Sequence, residues 1–148
     1  MMCTIRLFTL GFTQKPAETF FGRLSRAGVK RVIDIRLNNV SQLAGFAKRD
    51  DLRYFLKAIC GIDYIHLPEL APTQEIMDRF KKKKGEWSTY ERDFRSLLKE
   101  RKPEDTLSKD LFCSACLLCS EDKPDRCHRR LVAEHLAKKW GNVEIVHL

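Results

Sequence analysis

The segment that most constrains this chain is Leu111 to Cys119, LFCSACLLC, a run without a single charged residue. A continuous apolar run with no polar alternation is what a strand needs when both its faces are covered, which in a small domain means the middle of a parallel sheet. Parallel strands require crossover connections, so helical patterns should alternate with further short apolar runs. Ile5 to Leu10 reads as a first strand closed by Gly11, and Thr19 to Ala27 places Phe20, Leu24 and Ala27 at helical spacing before Gly28, a residue suited to a helix C-cap. Arg31 to Leu37 (RVIDIRL) is a β-branched second strand, followed by a polar loop over 38–49. Asp50 or Asp51 is placed to cap a helix running to Ile59 and stopped by Gly61, and Ile62 to Leu67 is a third strand ended by Pro68.

Glu75 to Lys84 and Trp87 to Arg101 carry helical patterns separated by Gly85 and closed by Pro103. Trp87, Tyr90, Phe94, Leu97 and Leu98 fall on one helical face, read as a stripe turned to the core rather than a binding strip. Pro124 to Trp140 is the last helix, with Gly141 just past its end, and Val143 to His147 returns to the sheet. The expected fold class is therefore α/β: residues 1–148 as a single three-layer domain, with a mostly parallel sheet of about five strands flanked by helices.

In an open α/β sheet ligands bind outside the carboxyl ends of the strands, so the polar residues expected there are the candidates for function. Asp34 and Arg36 stand two apart on the second strand and so share a face. They form either a structural ion pair or an acid or metal-binding carboxylate beside an anion-binding guanidinium. Tyr64 and His66 share a face of the third strand, which hands over to Pro68 and Glu69. The stretch from Cys119 to Arg130, CSEDKPDRCHRR, joins the buried strand to the last helix and is the densest in reactive groups. Cys127 in the first helical turn would be favoured as thiolate by unpaired backbone N–H groups. Arg129 shares a helical face with Val132, Ala133, Leu136 and Trp140, so it should aim inward over the strand ends, either toward an oxyanion or as scaffold for Glu121 or Asp34.

Two familiar arrangements fail on spacing. A phosphatase-type loop needs Arg six residues after Cys, but Asp125 occupies that place after Cys119, and Arg126 comes one later. A four-cysteine zinc site from Cys113, Cys116, Cys119 and Cys127 would need sulfurs within ~2.3 Å of one ion, whereas a strand rises ~3.3 Å per residue and alternates faces. Cys113 and Cys116 are therefore read as small core residues. Cys119, Cys127 and His128 stay close enough for a redox pair or a partial metal site.

The chain resembles the domain-of-unknown-function 488 family over nearly its whole length. The resemblance rests on TLGFT at 9–13, VIDIR at 32–36, the polar loop with Ser41, GIDYIHLPEL at 61–70 and LLCSEDKPDRCHRRLVAEHL at 117–136. It departs from the family pattern at Phe12, where histidine is common, at Asn38 and Asn39, where arginine or proline is more usual, and at Ala71, which replaces a glycine. The resemblance implies a compact α/β domain with a site at Asp34, Arg36, His66, Glu69, Glu121, Cys127, His128 and Arg129, and it implies no particular reaction.

Charge enters only when partners are considered. Lys+Arg number 28 against 20 Asp+Glu, a formal net charge of +8, concentrated in the N-terminal quarter, which favours phosphate-bearing partners without specifying a fold. No apolar run approaches the ~20 residues of a membrane span and no secretory leader is evident, so a cytoplasmic protein without membrane contact is expected. In that compartment the six cysteines are thiols that are buried, catalytic or metal-bound.

The leading expectation is an enzyme for an anionic substrate, phosphorylated or nucleic acid. Arg36 and Arg129 would hold the anion, with Ser41, Tyr64 and Glu69 as further substrate contacts. Asp34 or Glu121 would be general acid/base, Cys127 or His128 would supply the nucleophile or move a proton, and His66 would complete the catalytic set. No metal or cofactor is assigned, and the oligomeric state is left open. The alternative is a non-catalytic nucleic-acid-binding or regulatory module, with Arg6, Arg23, Arg26, Lys30 and Arg31 as a phosphate-tracking patch. A thiol-redox or zinc protein is the third.

Overall fold

The computed structural model describes residues 4–39, 45–81, 85–121 and 124–148. Among these, strands Ile5–Gly11 (β1), Arg31–Asp34 (β2), Asp63–His66 (β3), Ala115–Cys119 (β4) and Val143–His147 (β5) pair in parallel in the order β3-β2-β4-β1-β5. The charge-free run Leu111 to Cys119 does supply the central strand. All five β4 residues are buried, as the absence of alternation required.

Helices cover both faces, and the alternation of side chains along the strands divides the core into two halves. Leu7, Ile33 and Leu117 pack against helices Trp87–Arg101 (α4) and His128–Trp140 (α6), through residues such as Phe94, Leu98, Val132 and Leu136. Phe8, Val32 and Leu118 pack on the other side against Ala17–Ala27 (α1) and Arg49–Phe55 (α2), through Phe20, Leu24 and Leu52. Each of these fully buried side chains contributes ~1.5–3 kcal/mol of burial free energy. Between β3 and β4 the chain adds helix Gln74–Lys81 (α3), on the α4 side, and the single turn Pro103–Thr106 (α5). Among the described residues no helix is long and apolar enough to cross a membrane.

Several boundaries differ from the expectation. The strand reading of Leu111 to Cys119 is too long: Lys109–Phe112 is a 3₁₀ turn, Ser114 takes a left-handed φ of 55°, and pairing starts only at Ala115. Cys113 therefore lies exposed ahead of the strand instead of in the core, while Cys116 is buried as expected. β2 ends at Asp34, so Arg36 is not a strand residue and shares no strand face with Asp34. α6 begins at His128 rather than Pro124, which makes Cys127 its N-cap instead of a first-turn residue. Lys48, not an aspartate, precedes α2; Asp50 and Asp51 sit in its first turn, where their charge suits the helix dipole. The helix there closes with a π turn, Leu56–Cys60, before Gly61.

Connectivity places the site. β1 and β2 lead into α1 and α2 on one face, whereas β4, which lies between them, leads into α6 on the other. Neighbouring strands thus send their chains to opposite sides, and a crevice opens at their carboxyl ends.

Candidate functional site

A cavity of about 250 Å³ occupies that crevice. Its floor is the chain leaving β4, Cys119 to Glu121, which can lie over the end of β1 because position 11 is glycine: a Cβ there would stand 1.5 Å from the Glu121 carbonyl oxygen. Just beyond, the backbone N–H and the hydroxyl of Thr13 both donate to the Ser120 carbonyl, at 3.1 and 2.7 Å. Two strand ends are thereby fastened together directly beneath the cavity.

Arg36 reaches the cavity from the β2 side and is anchored from behind. Its Nε and Nη2 donate to the two oxygens of Asp34 at 2.8 and 2.7 Å, and its backbone N–H donates to Oδ1 at 3.2 Å. The Tyr64 hydroxyl adds a 2.6 Å bond to Asp34 Oδ2 and accepts one from Asn39 Nδ2 at 3.1 Å. Asp34 is completely buried and Arg36 is 4% exposed, so this is a desolvated, bidentate pair whose acceptors are filled. Burial, and then the Asp34 charge, push the Tyr64 phenol above its ordinary range, so it serves as a donor. Phe12 covers the guanidinium at 5.1 Å, and His66 Nε2 lies 2.7 Å from the Arg36 carbonyl, fixing the backbone.

At the other wall, the sulfurs of Cys119 and Cys127 are joined as a disulfide between the last residue of β4 and the N-cap of α6. His128 follows, 9% exposed, with Nε2 2.6 Å from the Ile35 carbonyl. Burial is the main cause that pushes its imidazole down to about 4, so near neutral pH Nε2 carries the proton for that bond and Nδ1 keeps a lone pair. Arg129, 1% exposed, donates through Nη1 to the Glu121 carbonyl at 2.5 Å and to Cys119 Sγ at 3.1 Å. Its inward aim is as the helical spacing predicted, yet its partners are a backbone carbonyl and a sulfur rather than the Glu121 or Asp34 carboxylate.

The remaining wall is aromatic. Trp87 and Tyr90 stack with centroids 4.8 Å apart and planes 21° apart, and Phe80 meets both rings edge-on or tilted. All three line the cavity, together with Lys81 and Arg126. The Glu121 carboxylate stands at the lip, 3.7 Å from Lys81 Nζ and half exposed.

A family model described as Domain of unknown function DUF488 matches residues 16–136. The chain belongs to the DUF488 family. No curated protein and no solved structure matches it.

The geometry divides this DUF488 chain's expected site residues into two groups. Arg36, Glu121, Cys127 and His128 meet at one cavity. Asp34, Tyr64, His66 and Arg129 stand behind it, each hydrogen-bonded to a neighbour and none among the lining residues. Glu69 is exposed on the 3₁₀ turn Pro68–Leu70, apart from the cavity, with its carbonyl accepting from Arg101 at 2.7 Å. Ser41 lies outside the described residues.

The sequence reading missed Phe80, Lys81, Trp87 and Arg126. The α4 stripe does face inward: Tyr90, Phe94 and Leu98 belong to the core and Trp87 packs against it, but Trp87 and Tyr90, at the start of the helix, also line the cavity. Amphipathic spacing identifies a buried face without showing where along that face the core stops.

Proposed function

We propose that this DUF488 chain is an enzyme acting on a phosphate-bearing substrate that also presents a flat ring, either a nucleotide or an unstacked base of a nucleic acid. The observation that carries the reading is the sharing of one 250 Å³ cavity by the anchored Arg36, the cations Lys81 and Arg126, and the stacked Trp87–Tyr90 wall. With Nε and Nη2 of Arg36 occupied by Asp34, Nη1 is the donor left to meet an oxyanion, held without cost in side-chain freedom at the moment of binding. A ring stacked on an aromatic platform adds ~1–3 kcal/mol per base. The cavity is too small for a duplex, so nucleic acid would enter by an end or an extruded base.

In this reading Arg36 holds the anion, Glu121 at the lip is the general acid/base, and Cys127, in the reduced protein, is the nucleophile at the α6 N-terminus. Asp34, Tyr64, His66 and Arg129 are positioning residues. The site belongs to the cytoplasm, where reducing conditions keep the cysteine pair open. The basic side chains of the non-catalytic alternative do not join this site: Arg6 and Arg31 stand at the amino ends of β1 and β2, at the other end of the strands from the cavity. A second reading, a thiol–disulfide oxidoreductase, is favoured by the bonded Cys119–Cys127 pair and would show as dithiol-dependent turnover of a disulfide substrate.

The test is a titration of the reduced chain with nucleoside monophosphates, inorganic phosphate and free nucleosides, followed through tryptophan fluorescence, together with phosphatase, phosphodiesterase and glycosidic-bond assays. Expected are tighter binding of the monophosphate than of either part and a turnover abolished by Cys127→Ala or Glu121→Gln. Absence of saturable nucleotide binding, or turnover indifferent to both changes, overturns the reading.

A further inference from the structure

Building on the reading of the carboxyl-edge cavity as a site of chemistry, but giving Cys127 the role of a ligand instead of nucleophile whenever the ion is bound, we propose that the reduced chain binds a soft divalent cation, zinc in the first instance, through Cys119, Cys127 and His128, with a fourth coordination position open to the cavity. The ligand atoms of these three residues, two sulfurs and a ring nitrogen, lie within 4.8 Å of one another. Two sulfurs and one imidazole are the donor set of an open zinc site, in which three protein ligands leave a place for water or substrate. All three residues line the same cavity, so the open position faces the substrate volume.

Three further observations, independent of the clustering, point the same way. Cys119 ends a central strand, Cys127 caps a thirteen-residue helix and His128 is that helix's first residue, so the ligands sit on rigid element ends. The Cα atoms of the two cysteines are 7.5 Å apart, beyond the ~4.4–6.8 Å over which disulfides are commonly built, and two sulfurs sharing one ion span that distance readily. The surrounding groups are those a metal site uses. The Ile35 carbonyl accepts from His128 Nε2 and leaves Nδ1 as the donor atom for an ion, and Arg129 Nη1 donates to Cys119 Sγ, where it favours a negatively charged sulfur. Cys113 and Cys116 take no part: the first is exposed ahead of β4 and the second is buried in the half of the core that packs on α1 and α2.

Loading requires the disulfide to open. A dithiol reductant supplies two electrons and two protons, breaking the Cys119–Cys127 bond and becoming a disulfide itself; the cation then displaces the two thiol protons to water and forms two metal–sulfur bonds and one metal–nitrogen bond. Oxidation of the pair would expel the ion, so the same three residues would couple occupancy to redox state.

The experiment uses the full chain, reduced with a dithiol and freed of it under anaerobic conditions, then titrated with cobalt(II). One cobalt per chain, with tetrahedral visible absorption and a sulfur-to-metal charge-transfer band that zinc removes, is expected. Cys119→Ser and Cys127→Ser should each abolish the charge-transfer spectrum or weaken binding on the order of 100-fold, and Cys113→Ser should leave both unchanged. Because a cysteine variant could fail to fold, the unaltered chain gives a second readout: zinc should protect Cys119 and Cys127, but not Cys113, from alkylation read by mass spectrometry. A reduced chain with no stoichiometric cobalt spectrum, a spectrum that survives Cys127→Ser, or alkylation indifferent to zinc overturns the site. Metal binding without nucleotide binding would overturn the enzyme reading alone, and nucleotide binding without metal would overturn this one alone.

Discussion

Replacing Asp34 by Asn separates an anchoring role from an acid–base role. The side chain is completely buried, accepts three hydrogen bonds from Arg36 and one from Tyr64, and neutralises a guanidinium that is itself 4% exposed. Asn keeps the shape and one acceptor oxygen, but its amide nitrogen faces a donor, and the guanidinium loses its counter-charge where water cannot replace it. Removing one partner of a buried pair costs ~3–5 kcal/mol, a large part of the ~5–15 kcal/mol that holds a domain folded. At a urea m value of ~2 kcal/mol/M, a loss of ~4 kcal/mol moves the unfolding midpoint down by ~2 M with m unchanged. Urea unfolding followed by far-ultraviolet circular dichroism measures this. The double variant Asp34→Leu/Arg36→Met, which removes both charges, should regain most of the loss. An Asp34→Asn chain within ~0.5 kcal/mol of the parent, yet inactive, would refute the anchoring argument and make Asp34 a working acid.

Gly11→Ala should destabilise by at least about 3 kcal/mol in the same assay, since the new methyl meets the Glu121 carbonyl and lies 2.9 Å from Arg129 Nη1; a neutral result would mean that the 119–121 turn moves freely. Trp87→Ala should weaken a nucleoside monophosphate ~10- to 100-fold in calorimetric titration and leave inorganic phosphate unchanged; equal losses for both would deny the ring-stacking role. For Glu104, burial works to raise its pKa, but the His135 bond at 2.7 Å and the charges of His135 and Lys139 hold it below the usual 4.5. Its contribution is thus fully present above that value and lost as pH falls through the lowered folded-state pKa, so acid unfolding of Glu104→Gln should have a shallower limb below about pH 4.5.

The layers and the helix order were legible because burial leaves a period in the sequence: β4 has none and so lies at the centre, and α4 repeats at helical spacing. The convergence of Arg36, Cys127 and His128 was legible through the strand-end rule. A structural pairing of Arg36 with Asp34 was one of the two alternatives the spacing left open, but its geometry was not legible, since the chain leaves β2 at Asp34 and curls the guanidinium back. The cavity's aromatic wall was not legible. Nothing in the spacing of Trp87 and Tyr90 tells that a cavity borders them, which depends on where α3 and the 119–121 turn come to rest.

The strand order has a consequence for how the chain is made. β1 and β2 never touch as neighbours, because β4, which contributes residues 115–119, is interleaved between them. Until those residues have left the ribosome, the first strand and the β2–β3 pair each present a bare edge of unpaired amide and carbonyl groups to whatever is nearby. Assembly of the sheet therefore waits on a five-residue piece encoded late, and its closure joins contacts far apart in the chain, the slow kind. A nascent chain stalled near residue 110 would hold one lone strand and one strand pair with bare edges and no centre, which is the state a chaperone would be expected to find.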